Sequence, residues 1–213
     1  MTQPRILVVD DHEVVREGVK HLIVSSIKEF EAEVLGASSS GEAISLLHAN
    51  ELTLVITDIT IEGRGGLDLI QEICRWSKPV PVLVFTNLSE EEFGVRAIRA
   101  GASGYVNKAD GNERLLEAIA KILQGARYVS QRLADSLVVY VQKNGDRPKH
   151  HGLSDREFQV LLRLAHGGSI KEISGELFLS VKTVSTYRAR IFEKLKVNSI
   201  ADAIRYCIEH KLD

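Results

Sequence analysis

Residues 52–58 form a short apolar run, rich in β-branched side chains, that ends on the carboxylate of Asp58. Bounded by turn formers, such a run predicts a strand buried on both faces. Asp58 then lies at a strand's C-terminal end, where the βα loops of a parallel sheet converge on ligands. Taken alone, an Asp at that place is explained as well by capping of the next turn as by nucleophilic chemistry. Three further strand-like runs also end on polar groups: residues 5–10 on Asp10, followed by Asp11, residues 81–86 on Thr86, and residues 104–108 on Lys108. In a parallel sheet all four ends share one edge. The acids Asp10, Asp11 and Asp58 repel one another there unless a divalent cation is present, and an all-oxygen carboxylate site with room for waters suits Mg²⁺. Lys108 adds a second point charge and Thr86 a hydroxyl donor, so an acyl phosphate on Asp58 would be held on three sides.

A second constellation lies near the other end. Residues 181–196 carry five basic side chains and one acid. Val184, Tyr187, Ile191 and Leu195 recur at helical spacing as an inward stripe. The opposite face presents Lys182, Ser185, Thr186 and Ala189, with Arg188 and Arg190 on the flanks and Thr183 in the first turn. Small side chains on that face let a helix lie deep in a DNA major groove, where Ser and Thr meet base edges. Lys182, Arg188 and Arg190 are expected on phosphates. The plain alternative is a solvated basic surface helix.

The elements that position these groups follow the same periodicities. In the first half, strand-like runs alternate with amphipathic helical ones, and five βα repeats predict an α/β fold, a doubly wound five-stranded parallel sheet with helices on both faces. The last 63 residues are helical throughout. Ser154 with Glu157 three residues on predicts a capping box, Ser180 predicts the N-cap of the basic helix, and the tight connection before it predicts a helix-turn-helix in a small all-α domain. The expected organisation is residues 1–125, a linker with a helix over residues 126–150, and a four-helix unit over residues 151–213. Within the linker, residues 144–152 read as an exposed hinge, with His150 and His151 solvated, not metal-bound.

Charge divides in the same way. Residues 1–125 hold 19 acidic and 12 basic side chains, residues 126–150 hold two and five, and residues 151–213 hold eight and ten. Two domains with different partners are implied. No apolar run reaches the length of a membrane span, and the first residues lead into a strand instead of a signal peptide. The two cysteines, Cys74 and Cys207, are far apart in apolar helical segments, which fits free thiols in a reducing, cytoplasmic setting.

With these residues in place, residues 5 to about 123 resemble the receiver domain of bacterial two-component response regulators. The resemblance implies that Asp58 is the phosphoacceptor, taking a phosphoryl group from a phosphohistidine on a sensor histidine kinase. It makes Asp10, Asp11, Asp58 and the backbone carbonyl of Thr60 the Mg²⁺ ligands, Thr86 the switch hydroxyl, Tyr105 the switch aromatic and Lys108 the conserved-type lysine. Residues 153–212 resemble the LuxR-type DNA-binding domain, through residues 153–157, Lys171-Glu172-Ile173 and residues 179–188. Together they resemble a regulator of the NarL/FixJ kind. That implies a homodimer paired through the last helix, residues 201–208, bound to double-stranded promoter DNA and acting on the transcription machinery. Several positions depart from the family pattern: Ile61-Glu62 replaces Met-Pro, Ala109 replaces a cis proline, Asn87 replaces a small residue, Gly175 sits inside a helix and Lys196 replaces a helix-ending glycine. Two rival readings are a phosphorylation-independent regulator or scaffold and an aspartate-nucleophile phosphohydrolase. The phosphohydrolase needs a second acid where this chain has Thr60.

Overall fold

A computed structural model describes residues 3–26, 32–62, 65–142, 148–210 and 212. Five strands, β1 (Arg5–Val9), β2 (Glu33–Ala37), β3 (Leu54–Thr57), β4 (Val82–Thr86) and β5 (Gly104–Asn107), form one parallel sheet in the order β2-β1-β3-β4-β5. Every residue of β3 and β4 is buried, as uninterrupted apolar runs require when helices cover both faces. Five helices alternate with the strands: α1 (Glu13–Ser26), α2 (Ser40–Ala49), α3 (Gly66–Cys74), α4 (Glu90–Ala100) and α5 (Asn112–Leu123). Ile6, Val8, Leu54, Ile56, Leu83 and Phe85 face Val19, Ile23, Leu115 and Ile119 in one apolar core. The strand order reverses between β1 and β3, and that switch point is where an open α/β sheet opens a crevice for ligands.

A sixth helix, α6 (Gln131–Gln142), follows. Ser130 caps it by accepting from the Leu133 amide at 3.0 Å. Leu133, 2% exposed, lies against Gly94 of α4, where a Cβ would come within 2.8 Å of its Cδ1. Chain contacts divide into two compact units, residues 1–138 and 139–213.

The second unit holds α7 (Asp155–Ala165), α8 (Ile170–Glu176), α9 (Val181–Leu195) and α10 (Ile200–His210). Ser154 and Glu157 make the expected capping box, and Glu157 also binds Lys194 of α9 at 2.6 Å. A second box, Ser169 with Glu172, starts α8. Of the expected hinge, residues 144–147 lie outside the described residues. The remainder is not a solvated loop: Lys149–Gly152 form a 3-10 turn, and His150 is 7% exposed. The reason is tertiary. The His150 amide donates to the Tyr206 hydroxyl at 3.2 Å, and its ring packs on Phe158, Tyr206 and His210.

Lys196 ends α9 in the left-handed region, φ 58° and ψ 49°, with the Val197 amide donating to Phe192 at 3.0 Å. Lys149 Nζ donates to the Leu195 carbonyl at 3.0 Å, satisfying one of the end groups a helix leaves open. A β-carbon in this conformation costs about 1 kcal/mol that glycine avoids. Lys196→Gly is therefore expected to raise the stability of this unit by about that amount, read as a higher urea midpoint at unchanged m-value.

Candidate functional site

The four strand ends meet as the sequence predicts. Asp58 follows β3 and is 7% exposed. Its Oδ1 accepts from the Thr86 hydroxyl at 2.6 Å and the Thr60 amide at 2.9 Å, while Oδ2 accepts from Lys108 Nζ at 2.6 Å. The same ammonium donates to Asp10 Oδ2 at 2.6 Å, so one cation bridges two carboxylates 48 residues apart in the chain. Burial alone would lower the pKa of Lys108, but the charges and hydrogen bonds of Asp58 and Asp10 outweigh it and hold the pKa above the ordinary value. Lys108 therefore stays charged through neutral pH. The stability it lends is complete below the unfolded lysine pKa and is lost only as pH rises through the folded one.

Asp10, 2% exposed, is held from three sides. Its Oδ1 accepts from the His12 amide at 2.9 Å and its carbonyl from Arg16 Nη1 at 2.7 Å. Asp11 is different. Its Oδ1 is buried and accepts no hydrogen bond among the described residues, although His12 Nδ1 lies 3.0 Å away, at contact distance but in poor hydrogen-bonding geometry. Among the described residues, the acidic or nitrogenous side chains whose ligand atoms gather within 4.8 Å of one another are Asp10, Asp11 and His12. An unsatisfied buried carboxylate oxygen beside two further donors is what a cation would relieve.

The loop after Asp58 carries the Ile61-Glu62 departure from the family pattern. Ile59 and Ile61 are fully buried, and the Glu62 carbonyl accepts from the Ser40 amide at 3.2 Å. Apolar Ile61 thus anchors the loop from below. Gly63 and Arg64 lie outside the described residues. Gly66 donates to the Ile59 carbonyl at 2.9 Å, and a Cβ there would collide with the carbonyl oxygen of Asp58. Asn87 is exposed. Ala109 sits in a 3-10 turn, Lys108–Asp110, capped by Asn107, and no cis peptide occurs among the described residues.

From Thr86 a hydrogen-bonded path leads outward. The Leu88 amide donates to Thr86 Oγ1 at 3.3 Å. Tyr105 is 2% exposed, and its hydroxyl donates to the carbonyls of Leu88 and Ser89 at 2.9 and 3.2 Å. Burial first, then the charges of Asp58 and the α4 glutamates, push its phenol pKa upward. Asn107 Nδ2 adds a third contact, to Leu88 O at 2.8 Å. Ser89 caps α4, whose Glu90 accepts from Ser130, the cap of α6, at 2.5 Å. Sequence reasoning missed this last link, because Ser130 and Glu90 carry no motif and meet only in the folded chain.

In the second unit, Val184, Ile191 and Leu195 are the buried stripe of α9, with Tyr187 half-buried. Lys182, Thr186, Ala189 and Arg190 are exposed; Thr183, Ser185 and Arg188 are half-buried. Two of the hydroxyls are engaged locally. Thr183 Oγ1 pairs with Ser180 Oγ at 2.7 Å, and Thr186 donates to the Lys182 carbonyl at 2.9 Å. Phe178, in the turn before α9, has a positive φ of 53° and is 48% exposed. No described helix is long and apolar enough to cross a membrane.

Comparisons with known proteins identify both halves of the chain. Residues 6–120 match the response regulator receiver domain, and residues 151–207 match the bacterial regulatory proteins of the luxR family. The chain is 37% identical over 209 residues to the response regulator GacA of Pseudomonas protegens, covering 97% of this chain and 96% of that one. It is 32% identical over 209 residues to the response regulator UvrY of Escherichia coli K12, covering 97% and 94%. RcsB from Salmonella enterica serovar Typhimurium, solved bound to promoter rprA, shares the fold with a TM-score of 0.61 at 24% identity, over 96% of this chain and 98% of that one. The chain belongs to the NarL/FixJ-type two-component response regulators, transcription regulators that join a receiver domain to a LuxR-type helix-turn-helix domain.

Proposed function

We propose that Asp58 accepts a phosphoryl group from a sensor histidine kinase and that its phosphorylation controls dimerisation and promoter binding through α9. The observation that carries this reading is the set of contacts on the Asp58 carboxylate: Lys108 on Oδ2, Thr86 and Thr60 on Oδ1. In the transfer, a carboxylate oxygen of Asp58 forms a bond to phosphorus as the bond from phosphorus to the kinase imidazole nitrogen breaks, and the nitrogen takes up a proton. Lys108 meets the incoming phosphoryl oxygens as a point charge, and the Thr86 hydroxyl donates to them. Asp10, Asp11, Asp58 and the Thr60 carbonyl would hold Mg²⁺, which supplies charge neutralisation at the phosphoryl group. The unsatisfied Asp11 oxygen supports that assignment.

Phosphorylation adds about 1.5 to 2 negative charges beside Thr86. Thr86 and Tyr105 lie inward on the path that ends at the caps of α4 and α6, so a bias on Thr86 is felt at both helices. Exposed Ile200 and Ile208 on α10 support pairing of two DNA-binding units through that helix. One small unit of modest charge binds DNA weakly in physiological salt, so pairing is what makes promoter binding effective.

Footprinting tests the reading. Protection of an inverted or tandem half-site is expected to strengthen after treatment with acetyl phosphate and Mg²⁺. If Lys182 and Arg188 both contact phosphates, replacing both by alanine flattens the dependence of log K on log salt by about 2 and weakens binding at least about tenfold. Unchanged binding by this variant would remove α9 as the DNA-contacting helix.

A further inference from the structure

The geometry points to His12 as an additional ligand of the receiver cation site, one that tilts its preference from Mg²⁺ toward first-row transition ions such as Co²⁺. This rests on the reading that the Asp10 and Asp11 carboxylates hold a divalent cation. His12 lies between the acids and the start of α1. Its Nδ1 is 3.0 Å from Asp11 Oδ1 and shares a hydrogen bond of 3.3 Å with Asp10 Oδ1. The contact with Asp11 has no hydrogen-bond geometry and leaves that oxygen unsatisfied, so the two atoms are close without being bonded to each other.

The three ligand atoms of Asp10, Asp11 and His12 gather within 4.8 Å of one another, a spacing that one ion fits. Bonds of about 2.1 Å to nitrogen and oxygen place neighbouring ligands about 3.0 Å apart at octahedral angles and about 3.4 Å apart at tetrahedral ones. Both His12 distances fall within that interval. Asp10 Oδ1 already accepts the His12 amide, which fixes the backbone that carries the ring. The ring itself is 73% exposed, so it is held by the acids alone and can turn onto an ion without disturbing the core.

The chemistry sets the direction. Mg²⁺ takes oxygen donors and keeps its waters, and gains little from an imidazole. Co²⁺, Ni²⁺ and Zn²⁺ bind imidazole well and sit higher in the affinity order at any site of this kind. The discriminating quantity is therefore the change in each ion's affinity when His12 is replaced, not the raw preference.

Full-length protein is titrated with Mg²⁺ and with Co²⁺ by calorimetry, with the visible absorption of bound Co²⁺ as a second readout, in wild type, His12→Asn and Asp11→Asn. The chain has seven histidines, so the Co²⁺ site in question is the one that Asp11→Asn also weakens. The expected result is that His12→Asn weakens Co²⁺ at least about 10-fold and alters its absorption, while Mg²⁺ affinity stays within about twofold. Co²⁺ binding that His12→Asn leaves unchanged, with both ions still weakened by Asp11→Asn, overturns the role of His12 and leaves the cation site standing. If Asp11→Asn affects neither ion, the cation-site reading fails and the role of His12 falls with it. Thermal melting of each variant confirms that it is folded.

Discussion

Asp58→Ala is expected to take up no phosphoryl group from acetyl phosphate and Mg²⁺ under conditions that label wild type, and to lose the phosphorylation-dependent gain in DNA protection altogether. The effect is all-or-none because no other described carboxylate combines its contacts. Asp10 shares Lys108 but spends its remaining oxygen on the His12 amide. Among the described residues, Asp11 is bonded neither by the lysine nor by the threonine. Among the described residues, only Asp58 has an ammonium on one oxygen and a hydroxyl and an amide on the other. Intact mass spectrometry after labelling reads the outcome. An alanine variant that still gains a phosphoryl group places the acceptor elsewhere, and a wild type that gains none favours the phosphorylation-independent regulator. The folded state should survive the change, because Lys108 keeps Asp10 as partner and the removal of one of three clustered acids relieves their repulsion.

The acidic site was legible because its logic is topological. A parallel sheet brings every strand's C-terminal end to one edge, so Asp10, Asp58, Thr86 and Lys108 could be placed together from their positions in apolar runs alone. The Ser154–Glu157 capping box and the buried stripe of α9 were legible because they depend on spacing within a single helix. Other features depend on partners distant in the chain. His150 reads as a polar hinge residue and is buried by aromatic rings of α7 and α10. His12 next to two acids carries no pattern that separates a ligand from a surface residue until its distances are known. Thr186 was assigned to base edges from its exposed face, but the same helical geometry places its hydroxyl near the carbonyl four residues back, and it donates there. Its methyl group and lone pairs are what remain for DNA.

The link from the acidic site to α6 shows what such distant contacts add. A sequence reading ends the receiver near its fifth helix and treats the next residues as a linker. Ser130 and Leu133 instead attach the first turns of α6 to α4, by a hydrogen bond to Glu90 and by packing at Gly94. The caps of α4 and α6 thereby join the hydrogen-bonded path from Thr86 through Leu88 and Tyr105.

Gly66→Ala is expected to be the most damaging single methyl group that can be added to the receiver. Gly66 opens α3 directly beneath the phosphoacceptor loop, and an added Cβ would collide with the carbonyl oxygen of Asp58 and lie 2.7 Å from the Ile59 Cα. Both obstacles are backbone, and neither can turn aside as a flexible side chain would. Relief requires α3 to shift, which breaks the Gly66 to Ile59 hydrogen bond, or requires the chain at Asp58 to shift, which pulls the Thr60 amide away from the carboxylate. Either route costs more than the usual overpacking range, so a loss of about 3 kcal/mol or more is expected in urea unfolding of the receiver. Phosphorylation should slow as well, because Asp58 and the Thr60 carbonyl are carried by the displaced segment. Gly18→Ala is the matched control. It lies inside α1 with nothing within 4 Å of the added carbon, and is expected to stabilise the same unit by up to about 1 kcal/mol through helix propensity alone. If the two alanine variants unfold at the same urea concentration, the close approach of α3 to Asp58 does not constrain the loop. If only Gly66→Ala falls, and its labelling falls with it, the glycine is what allows the phosphoacceptor to sit this low against the end of the sheet.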